Sequence, residues 1–243
     1  FPSLFDLPDL IDLTLNNKNY KNIPNFAFIN TTKFVKLDLA NNSIELIHKY
    51  SFHGLINLNN LVLKSNKLKF IDEFIFSDLI NLNDLDLSSN QIEILKDRCF
   101  RNLFKLRYLN LENNIIRLIG NDVFKDLNYT FKIKGLERQK ISKLNMRIFS
   151  GLISVTNINL IYNSIHHIEN YSFLGLNSLT SLNLSNNKIR KIESNALYSL
   201  NRLINIDLRN NKLKYLLKFT FNSTKKLNYL SLSNNKLEKF HDQ

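Results

Sequence analysis

Few side chains in this sequence stand at spacings that support chemistry. His166 and His167 are adjacent, but a metal pair needs further ligands and none is evident at a suitable spacing. Cys99 is the single cysteine, so an internal disulfide framework is excluded. No Ser/His/Asp, Cys/His or paired-carboxylate set recurs with catalytic spacing, and no Gly-rich phosphate loop is present. The expectation is no enzyme, no cofactor and no metal site. What remains is a group suited to recognition: Asp38, Asp84, Asp86 and Glu112 with Tyr108 and Asn110. An exposed ring beside charges is a common anchor for a partner protein.

These residues belong together because the chain repeats. Leu10, Phe34, Leu58, Leu82, Leu106 and Thr130 lie 24 residues apart. The step to Val155 is 25, and Leu179, Leu203 and Leu227 resume the period. Ten units start at these positions, the last cut short at Gln243. Residues 1–9 read as the tail of a preceding unit, with Leu4 and Leu7 in its Phe and Leu columns. The whole of 1–243 is expected to be one domain, and the missing initiator Met suggests a segment of something longer.

Each unit reads LxxLxLxxNxL, then xxI, then FxxL; Leu82, Leu85, Leu87, Asn90, Ile92, Leu95, Phe100 and Leu103 show it clearly. LxL predicts a short strand with both leucines facing inward and the residues beside them facing out. That alternation places the six recognition candidates on the outer side of a sheet. The ninth position holds Asn42, Asn66, Asn90, Asn114, Asn163, Asn187, Asn211 and Asn235. An amide there offers both donors and an acceptor to buried backbone groups at the turn, so the column predicts a hydrogen-bonded ladder. Lys18 in repeat 1 and the region of Arg138 in repeat 6 depart from it. A Phe column (Phe28, Phe52, Phe76, Phe100, Phe124, Phe149, Phe173, Phe221), broken once by Leu197, fills the return side. One unit cannot bury its apolar face alone, and stacking completes the core. Cys99 falls in a column of small or aliphatic residues, which predicts a packing thiol. Repeat 6, Thr130–Ser154, has one extra residue, Gly135 in place of a core leucine and no ladder Asn. It reads either as drift in one unit or as a change of curvature or ligand-contacting bulge.

The pattern resembles the leucine-rich-repeat family in its 24-residue form with FxxL on the convex side. The resemblance covers essentially the whole chain. It implies an α/β solenoid: a curved horseshoe of about ten short parallel strands on the concave face, with irregular or short helical segments on the convex face. Toll-like receptors, leucine-rich-repeat G-protein-coupled receptors and Slit-like proteins are rich in this form. The family implies a non-catalytic module of a cell-surface receptor or adhesion ectodomain, binding a protein ligand. Nucleic acid or another polyanion is an alternative partner, and an intracellular scaffold an alternative setting.

Charge and composition add to this. The net charge is +12 and is unevenly spread: residues 188–243 carry 12 basic and 4 acidic side chains, whereas residues 1–81 carry 8 of each. Much of the excess follows the ladder Asn, at Lys188, Arg190, Lys191, Lys212, Lys214, Lys236 and Lys239. Such a basic ridge suits nucleic acid, a heparan-type sugar or an acidic protein. No apolar run approaches the ~18 residues of a membrane span, so no membrane insertion is expected within this segment. N-x-Ser/Thr sequons occur at Asn30, Asn41, Asn128, Asn170, Asn183 and Asn222, compatible with an extracellular or cell-surface location.

Overall fold

The structure is a computed structural model that describes residues 9–29 and 31–238. The expectations on residues 1–8, on Asn30 and on the end of repeat 10 at Gln243 lie outside the described residues. Among the described residues there is no helix, and every regular element is a short strand. Of the two forms implied for the convex side, the irregular one is present: each return segment is a series of turns.

Among the described residues, ten three-residue strands recur once per repeat along the concave face. Asp12–Thr14, Lys36–Asp38, Asn60–Val62, Asp84–Asp86, Tyr108–Asn110 and Lys132–Lys134 form one six-stranded parallel sheet. Asn157–Asn159, Ser181–Asn183, Asn205–Asp207 and Tyr229–Ser231 form a second, four-stranded sheet. Pairing is parallel with a 24-residue register throughout, as in Leu85↔Leu109. The middle residue of seven of these strands is buried (Leu37, Leu61, Leu85, Leu109, Ile158, Leu182 and Ile206), while Leu13 and Ile133 are partly buried and Leu230, in Tyr229–Ser231, is exposed. Two-residue strands on the flank, such as Phe70–Ile71, Ile94–Leu95 and Leu118–Ile119, pair in the same sense.

Behind the concave sheet the Phe column stacks as a continuous spine. Ring centroids are 6.1 Å apart for Phe28–Phe52, 5.9 Å for Phe52–Phe76 and 6.3 Å for Phe76–Phe100. They continue at 6.3, 6.2 and 5.7 Å to Phe173. Near-parallel stacking follows from the repeat, which brings each ring back in the same orientation on the next turn. Leu197 ends the spine, and Phe221 beyond it is only partly buried.

Each ladder Asn side chain joins its own turn to the preceding one. Asn90 Nδ2 donates to the carbonyls of Leu63 (3.0 Å) and Leu87 (3.1 Å), and its Oδ1 accepts from the Leu68 N–H at 3.1 Å. The same set recurs at Asn42, Asn66, Asn114, Asn163, Asn187, Asn211 and Asn235. Both Asn90 acceptors are shared by a second amide, since Leu63 O also accepts from Asn66 and Leu87 O from Asn114. In Asn90→Ala those carbonyls therefore keep a partner, and the buried Leu68 N–H is the group left stranded. The expected cost is about 2 kcal/mol, the usual penalty for one unsatisfied buried donor. Denaturant unfolding checks it; an unchanged midpoint would show that water or a shifted turn satisfies Leu68.

Repeat 6 departs in a defined way. Gly135 takes φ +80°, and Leu136, one residue later, supplies the buried leucine. The ladder role passes to Gln139: Oε1 accepts from Ile116 N (2.8 Å), and Nε2 donates to Gly135 O (2.8 Å) and Leu111 O (3.4 Å). The ladder is thus continuous across a unit with no ladder Asn, because the longer amide of Gln139 compensates for the inserted residue. The concave sheet is not continuous. It is split between Lys132–Lys134 and Asn157–Asn159, where the displaced backbone leaves the two strands unpaired.

Candidate recognition surface on the concave sheet

Strand register decides which candidates meet. Asp84 pairs with Tyr108 and Tyr108 with Lys132; alongside, Asp86 pairs with Asn110 and Asn110 with Lys134. Asp38 is separated from Asp86 by Val62 and stands apart from this group. Tyr108 is the centre. Lys132 Nζ lies 5.7 Å and Lys134 Nζ 5.8 Å from its ring centroid, a distance at which ammonium and ring attract. Lys134 is also 3.9 Å from Glu112. Its hydrogen bond with Tyr108, aided by the charges of Tyr108 and Glu112, holds its ammonium above the ordinary lysine value. Asp84 Oδ2 accepts from Asn60 Nδ2 at 3.0 Å. The result is a strip with carboxylates on one side of a half-buried tyrosine and two ammonium groups on the other.

The next column has a structural duty that alternation does not reveal. Asp38, Asp86 and Asn110 each accept, through Oδ1, the backbone N–H two residues on: Ala40 (2.9 Å), Ser88 (2.9 Å) and Glu112 (3.1 Å). Asn159, Asn183 and Asp207 do the same at Ile161, Ser185 and Arg209. These Asx turns end the strands, since a short side chain reaches its own backbone two residues ahead. Asn110 is buried, 8% exposed, so its amide serves the turn and leaves the outward surface. At Asp207, burial opposes ionisation, yet the hydrogen bonds and charge of Arg209 outweigh it and hold the carboxyl below its ordinary value. Lys134 occupies this column in repeat 6, where no acceptor is available and Gly135 turns the chain instead. Lys132 and Lys134 were missing from the candidates; two lysines in columns otherwise rich in Asp, Asn and Tyr were the available signal. Beside them a depression of about 390 Å³, lined by Phe131, Lys132, Lys134, Glu137, Asn157 and Asn159 among others, opens at the sheet break.

The remaining residues singled out for chemistry have quieter settings. Cys99 is buried at 1% exposure, and that burial pushes its thiol well above the ordinary value. His167 Nε2 lies 2.9 Å from Glu193 Oε1, which also meets Lys191 Nζ at 2.8 Å. The Lys191 hydrogen bond holds the Glu193 carboxyl below its ordinary value against partial desolvation, with His167 contributing. Among the described residues no three His, Cys, Asp or Glu side chains converge as a metal set, and no helix is long and apolar enough to cross a membrane. Asn41, Asn128, Asn170 and Asn222 are exposed. Asn183 is half-buried and accepts from both the N–H and the hydroxyl of Ser185.

Two family models match the chain. One, described as BspA type leucine rich repeat region (6 copies), matches residues 3–132; the other, leucine rich repeat, matches residues 135–189 and 155–213. The chain belongs to the leucine-rich-repeat proteins. No curated protein matches it. Among solved structures it is similar to a chain of the TLR13–ssRNA13 complex, with TM-score 0.72 and 26% identity over 92% of this chain and 36% of that one. It is likewise similar to a chain of the Drosophila Toll–Spatzle complex, with TM-score 0.71 and 21% identity over 95% of this chain and 34% of that one. A chain of the complex of Latrophilin 3, Unc5D and FLRT2 gives TM-score 0.71 and 23% identity, over 93% of this chain and 68% of that one. The present chain spans about a third of the length of the first two.

Proposed function

We propose that this chain is a non-catalytic recognition module of an extracellular or cell-surface leucine-rich-repeat ectodomain, binding a protein ligand on its concave face. Residues 1–243 act as one recognition unit in this reading. The observation that carries it is the strip Asp84–Tyr108–Lys134–Glu112. It places an aromatic anchor between charges of both signs on a scaffold whose backbone is fixed by strand pairing and Asx turns. Such preorganisation lowers the ordering cost of binding. The solved complexes with Spatzle and with Unc5D support a protein partner for this fold.

The test starts from capture of secreted and surface proteins of the same source on the immobilised chain. The retained binder is then measured against variants. Tyr108→Ala with Asp84→Ala is expected to weaken it at least tenfold, the loss typical of a central anchor. Asp86 is left in place because its turn would be disturbed. Convex Lys125→Ala is expected to change affinity little. A reversed result, with loss only at Lys125, would move the site to the convex side. Glycans at Asn41, Asn128, Asn170 or Asn222 in native protein would support the surface location, and unmodified sites would favour an intracellular scaffold.

A further inference from the structure

Where the concave strands of repeats 8–10 turn into the flank, two columns run side by side along the solenoid. Asn186, Asn210 and Asn234 share one backbone conformation, with φ of 56°, 55° and 56°. Their amides form a second chain of hydrogen bonds, distinct from the buried ladder: Asn210 Nδ2 donates to Asn186 Oδ1 at 3.0 Å, and Asn234 Nδ2 to Asn210 Oδ1 at 2.8 Å. Two residues further on each turn stand Lys188, Lys212 and Lys236, all exposed. Their backbone N–H groups bond to Ile165, Ile189 and Leu213 of the preceding turns at 2.8–2.9 Å, so the lysines spring from equivalent points. Arg190 lies on the same edge and is exposed.

Among the described residues, part of the charge of this edge is uncompensated. Lys191 is paired with Glu193 and Lys214 lies 3.6 Å from Glu238. Among the described residues, Lys188, Arg190, Lys212 and Lys236 have no carboxylate at ion-pair distance. Three lysines that rise from backbone points one strand repeat apart, ~4.8 Å, carry like charges that repel one another, and a linear polyanion laid along them relieves that repulsion by displacing their counterions. The neighbouring amide chain offers donors and acceptors that match hydroxyl and sulfate groups. Single-stranded nucleic acid instead calls for aromatic platforms on which bases stack. Within repeats 8–10 neither column contains a ring; exposed Tyr162 continues the Asn column one turn earlier with the Arg138 guanidinium 4.7 Å from its ring centroid, and exposed Tyr215 stands beyond the columns on the flank.

We propose that the Asn–Lys edge of repeats 8–10 is a docking site for a linear sulfated polysaccharide. It is separate from the concave strip around Tyr108 and is occupied independently of a protein ligand there.

The experiment measures binding of the 243-residue chain to heparin, to desulfated heparin and to single-stranded poly(U), each over a range of salt. Wild type is expected to bind heparin with steep salt dependence and to lose most affinity for the desulfated polymer. The triple variant Lys188→Gln, Lys212→Gln, Lys236→Gln is expected to bind heparin at least tenfold more weakly. Its log–log salt slope should fall by about two to three, near one per lost contact. The triple Lys21→Gln, Lys69→Gln, Lys105→Gln removes the same charge from other exposed sites and is expected to leave affinity within about threefold. Asn210→Asp, which sets a carboxylate in the amide chain, is expected to weaken heparin at least tenfold with an unchanged thermal unfolding midpoint. Equal weakening by both lysine triples would overturn the proposal in favour of a diffuse field. So would poly(U) binding as tightly as heparin with loss in the same triple, which would make the edge a nucleic-acid surface. Indifference of heparin to Asn210→Asp, or no heparin binding by wild type, would also sink it.

Discussion

Gly135→Ala is expected to destabilise the centre of the solenoid by about 4 kcal/mol. Two terms add: left-handed backbone strain for a residue with a Cβ, about 1–3 kcal/mol, and overpacking, about 1–3 kcal/mol. Gly135 has φ +80°, and a Cβ there would meet Glu112 N at 2.1 Å and the Leu111 carbonyl carbon at 2.2 Å. Those are backbone atoms of the adjacent repeat, so no flexible side chain can swing aside. Relief would require parting repeats 5 and 6, which would draw Gln139 away from Ile116 N and Leu111 O and interrupt the ladder. Gly54 provides the comparison. Its φ is +85° but nothing lies within 4 Å of an added Cβ. Gly54→Ala should therefore carry the strain alone, at about 1 kcal/mol. Denaturant unfolding of both variants separates the terms, and hydrogen exchange should show the Gly135 lesion concentrated in repeats 5 and 6. Equal midpoints for the two variants would mean that repeat 6 yields easily, contrary to its close backbone contact.

The same repeat shows how far the sequence could be read. Columns of Leu, Asn and Phe at a fixed interval determine the strands, the ladder and the spine, because each depends only on what one position supplies to the next turn. Gln139 was hidden because its role depends on a one-residue shift and a longer side chain together. A fixed interval points instead to Arg138, which is exposed with its guanidinium 4.7 Å from the Tyr162 ring centroid. The recognition group was only half legible. Alternation puts Asp38, Asp86 and Asn110 on the outer side, but it is blind to what an outward side chain does next. All three turn back to their own backbone. Asp or Asn recurring two residues before the end of the turn was a readable sign of that. The edge of repeats 8–10 was visible as a run of positive charge; its order was not, since the alignment of amides beside lysines arises from a shared left-handed Asn conformation.

Phe100→Ala tests the spine itself. Phe100 is fully buried in repeat 4, with Phe76 and Phe124 stacked at 6.3 Å on either side. Truncation removes a large side chain from a rigid site and leaves both neighbouring rings without a partner on one face. The expected cost is about 4 kcal/mol, within the range for buried Phe→Ala. For a chain of this size that corresponds to a fall of roughly 10 °C in midpoint. In a repeat array the loss falls on the two interfaces that the ring serves, not on the whole chain evenly. Exchange protection should therefore drop most in repeats 3 to 5, and unfolding should broaden as the two halves uncouple. Phe221→Ala is the matched control: its ring is partly buried, and Leu197 takes the Phe position one turn before it. It should cost less than half as much. A Phe221 variant as damaged as the Phe100 variant would mean that each ring stabilises only its own turn, and that stacking along the spine contributes little to holding the repeats together.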